Sequence, residues 1–235
     1  MDLIEFFATL RQNTDLGVDS YECMSTKFPI NYDWENAVRR RYDPDMEIMS
    51  LSSDILFDKS KVLDEWVSLS GQVGNASHAL NVLLVKYGFR KSALLSTTKD
   101  KIEYYKKHCS IIERSTSPNT ISFFAVHPDN EQQIREELSR ETSEVGSVLG
   151  YPRVATDFFI QTIKGGNITS KNYGIVMNYK NLSTTRRGKV FIFVCGEIDV
   201  PYCTMYMNAI LLKMVPLSKA LNIEMSVTIR KPHDL

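Results

Sequence analysis

The chain has 235 residues, with 28 basic and 28 acidic side chains, so its formal net charge is zero. A balanced charge gives no general attraction to nucleic acid or to an anionic membrane surface. Hydrophobic residues make up 43% and charged residues 24%, which is typical of a globular protein and argues against disorder. No apolar run approaches the roughly 20 residues of a membrane-spanning helix, and the acidic start does not resemble a signal peptide. We therefore expect a cytoplasmic protein.

The first part of the chain differs from the rest in its irregular pattern. Short helices are predicted over residues 2–12 and 33–41, where apolar residues recur at helical spacing. Elsewhere in this part Asn, Asp, Gly, Ser and Pro repeatedly interrupt the pattern. We predict an N-terminal arm or subdomain over residues 1–57 and a main domain over residues 58–235.

Helical and strand patterns alternate through the main domain. The predicted helices are 58–71, 75–86, 99–108, 131–145, 154–163 and 202–221. The predicted strands are 89–96, 109–113, 120–126, 189–195 and 223–229, with 173–179 either a strand or an extended segment. Pro216 would kink the last helix or split it in two. Interleaved helices and strands predict an α/β or α+β fold, with a mixed central sheet, helices packed on it and a helical N-terminal region.

A Gly-Tyr-Pro corner joins the long polar helix to an aromatic-rich helix. Gly150 can adopt backbone angles closed to other residues, and Pro152 presets the first turn of the next helix. Tyr151 and Arg153 would then lie at a helix N-terminus, where free amides favour an anionic group. Alternatively, Tyr151 packs beneath the polar helix and Arg153 is solvated.

The corner also carries a resemblance to a family. A strand, the turn at His127-Pro128 and a charged helix precede Leu149-Gly150-Tyr151-Pro152, and Phe158 follows it. This arrangement resembles the archaeal and bacterial DUF483 family, whose function is unassigned. The resemblance covers at most residues 79–221.

The cysteines depart from the pattern of that family. Its corner is followed by paired cysteines, whereas Val154 and Ala155 occupy those positions here. Cys195 and Cys203 lie where its later cysteines would fall. Two cysteines without nearby histidines are too few for a thiolate metal site, so no metal is expected there.

Two carboxylates follow the most apolar predicted strand. Glu197 and Asp199 lie just beyond the end of strand 189–195, at the usual ligand edge of an open α/β sheet. They could act as acid and base, or bind an amine or a metal ion. Alternatively, this is a polar loop in which Asp199 caps the following helix.

A basic loop precedes the same strand. Arg186, Arg187 and Lys189 suit the capture of phosphate or carboxylate, although the glycine spacing is not that of a P-loop. A solvated hairpin turn is the alternative. With Arg39-Arg40-Arg41 these cations would suit nucleic acid, but acidic residues flank that run and make this the weaker reading.

His127 follows a predicted strand and precedes Pro128, which makes it the best histidine candidate for a titrating group. The alternative is a histidine that caps the turn. The sequence has neither a dinucleotide fingerprint nor a Gly-x-Ser-x-Gly motif, so no cofactor is identified.

These features predict a binding site for a small anionic or amino-acid-like ligand, at the meeting point of the corner helix, the end of strand 189–195 and the loop after it. The protein would then be an enzyme of specialised metabolism or a ligand-binding protein. The candidates are Tyr151, Glu197, Asp199 and His127 for catalysis, and Arg153, Arg186, Arg187 and Lys189 for ligand binding. The alternative is an interaction protein that self-associates or docks a partner through residues 1–57, and nucleic-acid binding through the basic loop is the weaker alternative.

Overall fold

The computed structural model describes residues 57–140, 145–163 and 172–230. Its helices are α1 (Val62–Val73), α2 (Ala76–Lys86), α3 (Ile102–Lys106), α4 (Glu131–Ser139), α5 (Val145–Val148), α6 (Arg153–Phe158) and α7 (Val200–Ala220). Its strands are β1 (Ser92–Thr98), β2 (Ser110–Thr116), β3 (Thr120–Val126), β4 (Asn172–Asn181), β5 (Arg187–Gly196) and β6 (Ile223–Arg230). The predicted mixture of helices and strands is confirmed. The arm and helices predicted before residue 57 lie outside the described residues.

The described strands form two three-stranded antiparallel sheets, in the orders β1-β3-β2 and β5-β4-β6. In each sheet the two outer strands are parallel to each other, and a helical crossover joins them. The crossover contains α3 in the first sheet and α7 in the second. The third strand lies between the outer strands and runs antiparallel to both. Short hairpins join β2 to β3 and β4 to β5, and such short connections require antiparallel neighbours.

Helix α2 lies between the two sheets. Seven consecutive residues, from Ala79 to Val85, are buried, so no face of this stretch is open to water. A helix that is apolar all round is buried on all sides, and α2 packs against α1, β1, β3 and β5. Asn75 begins the helix by accepting a hydrogen bond from the His78 backbone N–H at 3.1 Å. Because α2 contacts both sheets, it joins them into one core.

The first sheet has apolar residues on both faces. One face contributes to the large core around α2 through Leu95, Phe123 and Ala125. The other face, with Phe124 at its centre, forms a smaller cluster under α4 and α5. The buried members of that cluster are Ile112, Phe124, Val126, Ile134, Val148 and Leu149.

Three predicted boundaries change. The helix predicted over 131–145 ends at Ser139, because Arg140 has an extended backbone with ψ of 137°. The first strand begins at Ser92 and not at residue 89, since Phe89 and Arg90 form a buried bend before it. Helix α7 continues through Pro216 as one helix. Among the described helices, none combines the length and apolar character that crossing a membrane requires.

Candidate functional site

A row of three serines crosses the first sheet. Ser96 on β1 pairs with Ser122 on β3, and Ser122 pairs in turn with Ser115 on β2. Residues directly opposite each other in a sheet share a face, so the three hydroxyls lie side by side. The Ser96 and Ser122 hydroxyls are hydrogen-bonded to each other. Together they line a groove of about 360 Å³. The groove is lined by His78, Leu94, Leu95, Ser96, Arg114, Ser115 and Ser122.

Strand alternation places these serines outside the core. On β1, Leu95 and Thr97 are buried while Ser96 between them is exposed. On β3, Ile121 and Phe123 are buried and Ser122 lies between them. Successive side chains of a strand point to opposite faces, so burying one set turns the serines away from the core.

A bulge in β2 adds a cation to the groove. The pairing register of β2 shifts between Glu113 and Ser115, which leaves Arg114 as the extra residue. A bulge re-aims the side chain it carries, and bulges are common next to binding sites. Arg114 is exposed, and within the described part of the chain it has no carboxylate partner. Its guanidinium can therefore bind an incoming anion.

His78 adds an uncharged ring to the groove. Its Nδ1 lies 3.0 Å from the Tyr105 hydroxyl, which is fully buried. Burial lowers the pKa of His78, so the ring is neutral at pH 7. The ring is thus held through Nδ1 by Tyr105, whose own ring packs on Phe123.

A second polar centre lies inside the molecule, around Arg90. Arg90 follows the end of α2, is 7% exposed and extends its side chain towards β5. Its guanidinium donates to the Val190 carbonyl oxygen at 2.9 Å and to the Asn81 side-chain oxygen, and it stacks 4.0 Å from the centroid of the Phe191 ring. Burial lowers the pKa of Arg90, and the nearby Tyr151 hydroxyl opposes that shift. Neutral acceptors and a ring thus hold this buried cation in place.

The Gly-Tyr-Pro corner forms a left-handed helix cap. Gly150 has φ of +71°, and its N–H donates to the Ser147 carbonyl oxygen at 2.9 Å. The Tyr151 N–H donates to the Gly146 carbonyl oxygen, also at 2.9 Å. This pair of bonds is a Schellman motif, which favours glycine at the left-handed position. The buried Tyr206 hydroxyl of α7 donates to the Gly150 carbonyl oxygen at 2.7 Å and fixes the corner to the core.

The Tyr151 ring packs on the second sheet. Its centroid lies 5.4 Å from that of Phe193 and 6.4 Å from that of Phe191. Burial raises the pKa of Tyr151, while the neighbouring Arg90 guanidinium partly offsets the rise. The phenol therefore stays protonated at neutral pH and fills the junction between α6 and β5.

Arg153 is the first residue of α6, two positions after Tyr151. Its side chain is 65% exposed, and its Nε is 3.7 Å from a carboxylate oxygen of Asp157 on the next turn of α6. Helix α6 continues directly as a π-helix over Phe159–Ile163.

The two carboxylates after β5 have different surroundings. Glu197 is exposed, whereas Asp199 is 8% exposed and lies at the start of α7. No side-chain cap bond joins Asp199 to the α7 amides. The Phe158 ring of α6 covers Gly196, where an added Cβ would lie 3.2 Å from the ring. The corner helix, the end of β5 and the start of α7 thus meet by direct packing.

His127 caps a turn at the end of β3. Its Nδ1 accepts a hydrogen bond from the Asp129 N–H at 3.3 Å and lies 3.6 Å from an Asp129 carboxylate oxygen. This contact fixes the 3₁₀ turn over Pro128–Asn130 that precedes α4. The ring lies beyond Val126, which is the opposite end of β3 from the groove.

The basic loop is an exposed hairpin between β4 and β5. The Asn181 side-chain oxygen accepts from the backbone N–H groups of Ser183 and Thr184, at 2.8 and 2.9 Å. Arg186, Arg187 and Lys189 are exposed.

The predicted site residues fall at separate places. Arg187 begins β5 and Glu197 follows its last residue, so about ten residues at roughly 3.3 Å each separate them by about 30 Å. A small molecule cannot bridge that distance. Tyr151 and Asp199 belong to elements that meet on β5, whereas His127 lies on the first sheet. None of the eight predicted residues lines the serine groove.

Comparisons with known proteins give no relative from which the role of these sites could be inferred. No family model, no curated protein and no solved structure matches the chain. Within the described residues, no three His, Cys, Asp or Glu side chains are grouped as a metal site would require. The three cysteines in the described residues are buried and form no disulfide with one another.

Proposed function

We propose that the protein binds a small anionic molecule in the serine groove of the first sheet. The observation that carries this proposal is the convergence of Ser96, Ser115, Ser122 and Arg114 on one groove. Hydroxyls and a guanidinium are the donors that recognise phosphate and carboxylate oxygens. Concave sites with a few converging polar groups over an apolar floor are where small molecules bind. The ligand class is the one that the sequence predicted, but the residues are different.

The size of the groove limits the ligand. A volume of about 360 Å³ lies at the lower end of the range for small-molecule sites, which is roughly 300–1,000 Å³. Leu94 and Leu95 supply apolar contact at the β1 side. A metabolite is therefore a better fit than a polymer.

The other expectations from the sequence stay predictions. The described residues do not test five of them. These are the DUF483 resemblance, the cytoplasmic location, a role in specialised metabolism, docking through residues 1–57, and nucleic-acid binding through the basic loop. We take ligand binding as the primary function.

A titration with inorganic phosphate, followed by two-dimensional NMR, tests the proposal. We expect shifts at the amides of the serine row and loss of binding in Arg114→Gln. The matched control is Arg153→Gln, which removes another exposed arginine that was predicted from the sequence to bind a ligand. If Arg153→Gln abolishes binding and Arg114→Gln does not, the site is at the corner and the proposal is wrong.

A further inference from the structure

The hairpin between β4 and β5 carries a group of cations on the other sheet from the serine groove. Arg186, Arg187 and Lys189 are exposed, and Lys180 on β4 is half-buried. Within the described part of the chain, none of the four forms an ion pair with a carboxylate. They therefore form a local positive patch on a chain whose net charge is zero.

The strand register places three of these cations on the outer face of the second sheet. Arg187 lies directly opposite Lys180, and Lys189 lies two positions further along β5. Tyr179 and Met177 occupy the alternate positions of β4 and are buried in the core. Successive side chains point to opposite faces, so Lys180 and its neighbours on β5 face away from the core. Like charges directly opposite each other destabilise a sheet, and a bound anion would relieve the repulsion between Lys180 and Arg187.

The rest of this outer face offers uncharged hydrogen-bonding groups. Asn178 of β4 donates to the Thr228 hydroxyl at 2.9 Å, and Ser226 lies opposite Asn178 on β6. Glu224 is the one acid on this face among the described residues, and it lies opposite Lys180 without an ion pair between them. Amides, hydroxyls and cations are the groups that contact the phosphates of a nucleic acid.

The backbone of the hairpin is fixed against the body of the protein. Gly188 lies between two of the cations and packs against α2 so closely that an added Cβ would be 2.3 Å from the Ser77 hydroxyl. That hydroxyl lies 3.2 Å from the Tyr179 hydroxyl. In the turn, Thr185 has φ of +58°, which is strained for a β-branched residue. Such strain is concentrated at sites that bind ligands, because it fixes a backbone in place before the ligand arrives.

The side chains of this face distinguish between anionic partners. Single strands bind by stacking their bases on aromatic rings, and among the described residues no aromatic side chain lies on the outer face. A membrane surface requires a continuous apolar area. Leu182 and Ile192 are the exposed apolar side chains of the hairpin, but Leu182 is six residues along β4 from Val176, the partner of Ile192, or about 20 Å. A duplex, in contrast, binds cations through its phosphates alone.

We propose that the outer face of the second sheet binds double-stranded nucleic acid through the phosphate backbone, without reading its sequence. Lys180, Arg186, Arg187 and Lys189 supply the charge, and Asn178 and Ser226 lie beside them as uncharged donors. This site is on a different sheet from the serine groove and does not rest on the proposed function.

Fluorescence anisotropy with a labelled mixed-sequence DNA duplex of about 20 base pairs tests the proposal. Four phosphate contacts give a slope of about −3.6 for the logarithm of affinity against the logarithm of salt concentration, so the affinity should fall roughly 150-fold between about 50 and 200 mM salt. The double variant Arg187→Gln/Lys189→Gln should halve that slope and weaken binding at least about tenfold at the lower salt concentration. Both positions are exposed, and the urea midpoint of this variant should not fall.

The matched control is Arg153→Gln/Lys61→Gln, which removes one exposed arginine and one exposed lysine elsewhere. This control and Arg114→Gln should leave duplex binding within about twofold, as expected of cations that contact no phosphate. The proposal is wrong if the duplex does not bind, or if the control weakens binding as much as the hairpin variant. Tighter binding to the single strand than to the duplex would also overturn it, as would binding to phosphatidylserine vesicles without binding to the duplex.

Discussion

The two sheets share one topology and differ in what their central strands expose. In both, an antiparallel strand lies between two parallel strands joined by a helical crossover. The central strand β3 presents Ser122 in a polar row beside a groove. The central strand β4 is buried at each position from Gly174 to Met177. The same strand arrangement thus carries a polar row beside a groove near the start of β3 and a continuous run of buried residues in β4, although β3 is also buried from Phe123 to Val126.

The difference follows from how the helices cover each sheet. Helices α2, α6 and α7 all contact β5, and the rings of Tyr151, Phe193 and Tyr206 fill the space between them. On the first sheet, α4 and α5 cover the region around Phe124, and the serine row begins at the next position on that face. The uncovered part of this face is polar because water reaches it.

The largest expected effect comes from the aromatic cluster of the second sheet. Phe193 is 4% exposed and contacts the rings of Tyr151 and Tyr206. We expect Phe193→Ala to lower the free energy of unfolding by about 3–5 kcal/mol, because it removes a buried ring and leaves a cavity. Urea denaturation measures this change.

The matched control is Phe159→Ala, whose ring is 49% exposed. This control should change the free energy of unfolding by less than about 1 kcal/mol, as expected for a surface position. If the two variants had the same free energy of unfolding, the aromatic cluster of the second sheet would not contribute to the stability of the protein as expected.

A smaller effect is expected at the polar centre between α2 and the second sheet. Arg90→Ala leaves the oxygens of Asn81 and Val190 without their donor. We expect a loss of about 2–3 kcal/mol in the free energy of unfolding, since buried acceptors without partners are costly. Asn81→Ala and the double variant complete a thermodynamic cycle.

The cycle measures the coupling between the two side chains. Residues in one buried hydrogen-bonded network couple by about 0.5–3 kcal/mol. If the effects of Arg90→Ala and Asn81→Ala simply add, Arg90 does not depend on Asn81, and the contact between them is incidental.

Local features of the chain were predictable from the sequence. Gly150 was expected to adopt angles closed to other residues, and its φ is +71°. The apolar run within residues 75–86 predicted α2, whose residues from Ala79 to Val85 are buried. Both depend on residues within a few positions along the chain, where backbone sterics and periodicity act directly.

Features that depend on distant residues were not predictable. Arg90 was placed in a strand, but it forms a buried bend whose acceptor at Val190 lies 100 positions away. The serine row requires the order β1-β3-β2, since Ser96 and Ser115 become neighbours of Ser122 only in that order. Periodicity identifies strands but does not give their order. The bulge that adds Arg114 to the groove also arises from pairing between strands.

The smallest expected effect on stability falls on the serine row. Ser122→Ala should change the free energy of unfolding by no more than about 0.5 kcal/mol, because among the described residues its hydroxyl bonds only to the exposed Ser96. The same variant should weaken the binding of inorganic phosphate by about fivefold, the effect of losing one hydrogen bond of roughly 1 kcal/mol.

Urea denaturation and calorimetric titration of the same sample check both numbers. Ser68→Ala, an exposed serine on α1, is the control that should alter neither. A loss of stability above about 2 kcal/mol in Ser122→Ala would show that the hydroxyl supports the sheet, since such losses come from buried polar or packing defects. Ser122 on β3 would then be a structural residue like the buried residues of β4, and the two central strands would not differ in role.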